Sequence, residues 1–182
     1  MNPNDDTPPE KIIARVAAGA ALTMASGTAS ASLDTFATWF LTAFGAGLAL
    51  IISHLNEVSD FIPQATVASG AYLFLMAAVV CVAQRYLALV IVGGAKAAKE
   101  GSKLGEKWQH MDAEEFISQM LHGMPWMIRK MCKGQFDAMA KGDYAVGGRM
   151  FMRLTLWQGL LVTVELVVLL VALSNIVNAI KA

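Results

Sequence analysis

Glu165 is a lone charge in a strongly apolar part of this chain. It lies in the run LLVTVELVVLLV, Leu160 to Val171, with no other charged residue between Arg153 and Lys181. An ionised carboxylate at the centre of a bilayer costs ~2.5–3.5 kcal/mol even on insertion scales, so in such a run it has to face protein or water. At 3.6 residues per turn, Thr155, Gln158, Glu165 and Ala172 fall on one face of a helix, with Asn175 at its edge. This narrow polar stripe has two readings. Repeated copies, one per subunit, could line a pore or ion path. Alternatively a buried glutamate, protonated or paired, locks helix packing, as polar groups do between membrane helices.

Gln84 and Arg85 are the other intramembrane candidates. Arg85 could reach toward Glu165, but with Tyr86 beside it the expectation is a side chain that snorkels to the membrane interface. Small residues form further stripes: Thr35, Thr38, Thr42, Gly45 and Ala49 in one apolar run, and Thr66, Gly70, Ala77, Cys81, Gln84 and Ala88 in the next. Gly45-Ala46-Gly47 adds a place where another backbone can approach closely.

Nothing in the chain has the pattern of a catalytic or metal centre, so no enzyme, no cofactor and no metal site is expected. His54, His110 and His122 are dispersed, and no Cys-x-x-Cys or Gly-rich phosphate loop occurs. Met120, Met124, Met127 and Met131 recur at steps of 4, 3 and 4, close to His122 and Cys132. Thioethers suit soft metals, but this is equally the apolar face of an amphipathic helix. With Phe116 and Trp126 these residues make a candidate docking face for a cytoplasmic protein.

The elements that hold these residues follow from composition. The 182 residues are 56% hydrophobic and only 15% charged, with zero formal net charge. A soluble domain has about a quarter charged residues, so the pattern is that of an all-α membrane protein, with no net positive charge to attract nucleic acid. Three transmembrane helices are expected: residues 33–55, residues 65–95, and a C-terminal one within 151–182. A core of ~30 Å needs ~20 helical residues, so the second is too long and must tilt or project. Residues 1–32 read as an acidic tail plus a retained amphipathic helix over 9–30, a possible fourth interfacial or re-entrant helix and not a cleaved signal, whose leading region would be basic.

Orientation follows Lys and Arg. The link Asn56–Pro63 has none, whereas residues 96–153 carry ten. The expected placement is a bacterial-type inner membrane, with the N-terminus and a cytoplasmic helical region, 96–150, inside and the C-terminus outside. Within that region Asp112 and Glu115 suit a capping box. AMAKGDYAVGGRMF resembles the helix-turn-helix of one tetratricopeptide repeat, with Gly142-Asp143-Tyr144 at the turn and Phe151 on the second helix; Gly148 departs from the pattern, and the unit does not recur. That resemblance implies a helical hairpin only.

These features lead to the expectation of a small polytopic protein that self-associates in the lipid bilayer as a homo-oligomer. Its spans would form a pore or ion-channel-like component, and the cytoplasmic helices a gate or platform. The alternative is a non-catalytic anchor or scaffold subunit that recruits a cytoplasmic partner.

Overall fold

The computed structural model describes residues 9–104 and 126–180, together with Glu115, Ser118, Gln119, His122 and Gly123. Among these residues the only regular structure is helical. Helix α1 is Pro9–Ser53, α2 the short turn Leu55–Val58, α3 Gln64–Leu104, α4 Trp126–Ala140 and α5 Val146–Ile180. Three of them, α1, α3 and α5, are long and apolar enough to cross a membrane.

Residues 9–30 are not a separate helix: α1 runs unbroken for 45 residues. Threonines along this run bond their hydroxyls within the helix. Thr23 Oγ1 donates to Gly19 O at 2.9 Å and Thr35 Oγ1 to Ala31 O at 2.9 Å, each one turn back. Such bonds let polar residues continue a helix without exposing an unpaired group.

The chain divides into two compact units, Met1–Thr28 with Ile91–Arg153, and Ala29–Val90 with Leu154–Ala182. In the first, glycine sets the packing distance. A Cβ on Gly19 would come 2.7 Å from Tyr144 O, and one on Gly148 would come 2.8 Å from Leu22 Cβ. The α4–α5 turn closes as a Schellman motif on Gly142, whose φ is 86°. Gly142 N donates to Met139 O at 2.9 Å and Asp143 N to Ala138 O at 3.0 Å. Arg15 then reaches Gly142 O at 3.4 Å.

In the second unit α3 runs antiparallel to α1 and α5. Its buried positions alternate at steps of three and four. On α3 they are Val67, Gly70, Ala77, Cys81, Gln84 and Ala88, with half-buried Phe74 completing the rhythm; on α5, Thr155, Gln158, Val162, Glu165, Leu169, Ala172 and Ile176. A 3.5-residue period is the seam of a left-handed coiled coil, because it drifts relative to the 3.6 residues of a straight helix. Near the link the seam is apolar: Leu48, Ile62, Val67 and Ile176 form a core, with Phe44 stacked on Phe74 at 6.2 Å.

The outside of this unit is also apolar. Exposed large hydrophobic residues run from Phe36 to Ile52 on α1, Tyr72 to Val90 on α3 and Leu156 to Ile180 on α5. At ~1.5 Å per residue these stretches measure ~24, ~27 and ~36 Å, close to the ~30 Å of a hydrocarbon core. A belt of that height has the dimensions of a lipid-facing surface.

Candidate functional site

All three long helices of the second unit contribute to one buried polar layer. Gln84 on α3 and Gln158 on α5 are both fully buried. Gln158 Nε2 donates to Gln84 Oε1 at 3.1 Å and to Ser30 O, on α1, at 3.1 Å. Gln84 Nε2 donates in turn to Asp34 Oδ1, also on α1, at 3.1 Å. Arg85 closes the layer on its outer side: its Nε lies 3.4 Å from Asp34 Oδ1, and its Nη2 donates to Thr38 Oγ1 at 2.7 Å.

Each helix thus places a group that the others need. Gln84 and Gln158 can do this because they sit on the heptad seams. Arg85, one residue off its seam, has to lean around α3 to reach Asp34, and its side chain stays about half exposed (52%). Tyr86 and Trp157 are exposed beside the layer, the aromatic pattern expected at a membrane–water interface. Arg85 therefore neither extends free into the headgroups nor reaches Glu165: a bidentate-capable cation finds an anion on the neighbouring helix.

Glu165 is two turns further along α5 and is 1% exposed. Neither carboxyl oxygen has a hydrogen-bond partner, and Gln158 Oε1 and Ser30 Oγ are likewise unpaired. Its polar neighbour is the Cys81 thiol of α3, a weak donor, and the charges it feels are those of Arg85, also on α3, and Asp34 on α1. Cys81 is buried, and its Sγ lies 3.9 Å from Gln84 Nε2, a weak contact that joins the carboxyl's surroundings to the layer.

The remaining sequence-based candidates are placed differently. Thr155 is buried on the same seam, whereas Asn175 is exposed, in an open depression with Thr66, Ser69 and Asn178. Of the small residues, Ala77 is fully buried, Gly45 packs on the Phe74 ring, and Gly70 lies against Ile176 and Leu48. Thr42 is exposed and Gly47 meets nothing within 4 Å. On α1 the packed face runs Ser30, Leu33, Ala37, Leu41, Phe44 and Leu48, so of the stripe Thr35 to Ala49 only the edge, Thr38 and Gly45, touches a neighbour.

Trp126 is exposed at the start of α4; Met127 and Met131 lie on that helix with side chains outside the described residues, as Phe116, Met120 and Met124 are entirely. Among the described residues no group of three or more His, Cys, Asp or Glu could hold a metal ion.

Asp34, the acceptor at the centre of the layer, was not singled out by sequence reasoning. A usable signal exists: Asp34 lies 20 residues before His54, and Gln84 lies 20 after Gln64. Folding the two helices back about the link puts them side by side. Comparison of the chain with protein-family models, curated proteins and solved structures finds no match.

Proposed function

We propose that this chain is a non-catalytic membrane anchor or scaffold subunit, held in the bilayer by a self-contained three-helix unit and recruiting a cytoplasmic protein through its Lys/Arg-rich segment. The observation that carries this reading is the burial of Thr155, Gln158 and Glu165, at 8%, 0% and 1% exposure, inside their own chain. A pore between copies needs polar side chains on the outside of each subunit, turned toward a shared lumen. Here the buried stripe is consumed by α1 and α3 of the same molecule, and the large side chains on the outside of the unit are predominantly apolar.

The concentration of ten Lys and Arg within residues 96–153 supports placing that segment on the cytoplasmic side. An exposed Trp126 at the head of α4 supports a docking role there, since tryptophan is enriched among residues that anchor interfaces. Native mass spectrometry from nanodiscs, run beside planar-bilayer conductance, tests the proposal. The expected outcome is one copy bound to a different protein and no ion flux. A closed ring of identical chains, or a conductance altered by Glu165→Gln, overturns it in favour of the pore.

A further inference from the structure

We propose that Glu165 is an intramembrane proton-binding site, loaded and unloaded from the aqueous side at the level of Arg85. The inference is independent of whether the chain is a scaffold, because it rests on the interior of the second unit alone.

Three observations carry it. First, the carboxyl is 1% exposed and both oxygens lack a partner. A buried charge in a membrane span is paired or is functional; this one has no ionic partner, only the weakly donating Cys81 thiol beside it. Its own helix places Val162 and Leu169 before and after it on the seam, and among the described residues no group of three or more His, Cys, Asp or Glu stands ready to replace the hydration shell of a metal cation. Hard cations take six or more oxygens. A proton needs only the carboxyl itself.

Second, polar groups lead away from the carboxyl in one direction. Cys81, Gln84 and Arg85 follow one another on α3 within ~6 Å of helix rise. Cys81 Sγ contacts Gln84 Nε2 at 3.9 Å, Gln84 binds Asp34 at 3.1 Å, and Asp34 meets Arg85 at 3.4 Å. The last two side chains are 32% and 52% exposed, so the ladder reaches the surface of the unit at the level of the interface-type aromatics Tyr86 and Trp157.

Third, the opposite direction is closed. Beyond Leu169 and Ala172 the seam enters the apolar core of Leu48, Ile62, Val67 and Ile176. No polar atom of that core could pass a proton toward the link. Access is therefore one-sided. The titratable groups that face the carboxyl are the Cys81 thiol, which lies beside it, and the charged Arg85, both from α3, and Asp34 from α1, while α5 contributes no other titratable residue between Arg153 and its end at Ile180.

The test uses the full chain in liposomes and two readouts of the unmodified protein. A membrane-permeant carbodiimide, which attacks neutral carboxylic acids, should label Glu165 and leave the Arg85-paired Asp34 unlabelled, as read by peptide mass spectrometry. Labelling should fall as bath pH rises, in step with loss of the neutral-acid carbonyl band in infrared difference spectra. That band should be absent from Glu165→Gln and present in Thr163→Val. Gln84→Leu, which interrupts the ladder, should slow the response to a pH jump roughly tenfold, equivalent to ~1.4 kcal/mol on the exchange barrier, without changing the final level. No label and no neutral-acid band at any pH overturns the proton site. A label indifferent to bath pH overturns its exchange with water, and an unchanged rate in Gln84→Leu overturns the ladder.

Discussion

Gln158 and Glu165 stand seven residues apart on the same face of one helix, equally hidden, and their surroundings are opposite. Around Gln158 the two neighbouring helices supply a carbonyl and a side-chain amide, so a buried amide becomes the link that joins three chain segments. Around Glu165 they supply a thiol and hydrocarbon, and the carboxyl is left without a bond. In lipid, apolar contact alone gives little drive for helices to associate, so packing and interhelical hydrogen bonds specify the register. The first position is thus built to hold the bundle together. The second lowers its stability, as a buried acceptor without a full hydrogen bond does.

Four substitutions test that contrast. The largest effect is expected from Glu165→Leu: removing an unsatisfied buried acceptor should raise stability by ~1–3 kcal/mol, seen as a higher unfolding midpoint in mixed micelles. A loss of stability there would reveal a partner and erase the distinction. Gln158→Leu should act in the other direction, lowering stability by ~0.6–1.7 kcal/mol as its bonds to Ser30 and Gln84 are lost. Arg85→Ala should cost less, ~0.2–1 kcal/mol, because its pair with Asp34 is half open to water. Thr163→Val is the control on the lipid-facing side of the same helix: its hydroxyl bonds only Gly159 O within the helix, and the midpoint should move by less than ~0.5 kcal/mol.

The sequence reveals these two positions unequally. The α5 stripe can be read directly, because a few polar residues in a Leu/Val helix stand out and their spacing assigns the face; Thr155, Gln158 and Glu165 are buried together. The face of α1 cannot be read in this way. Thr, Ala and Gly cover most of its circumference, so small residues give several equivalent stripes, and the one traced through Thr42 turned out to be exposed. The choice is made by partners on other helices, chiefly Phe74 filling the space over Gly45 and Arg85 reaching Thr38.

Asp34 escaped notice for a related reason. An acidic residue near the expected start of a span looks like a boundary marker until the helix is seen to continue 25 residues before it, to Pro9. The heptad rhythm of α3 and α5 was available as well, but a stripe read at 3.6 residues per turn and one read at 3.5 differ by only ~20° over seven residues. The distinction emerges only when the whole length is followed.

The pairing of Asp34 with Arg85 has an electrical consequence. Moving one elementary charge through the membrane field is worth ~2.3 kcal/mol per 100 mV, and a span with unbalanced charge feels that force. Here the cation and the anion sit at the same depth on adjacent helices, so a change of voltage pulls them in opposite directions with equal strength. With Glu165 holding its proton, the interior charges Asp34 and Arg85 cancel, and the membrane potential gains a grip on the interior of the bundle only when that proton leaves.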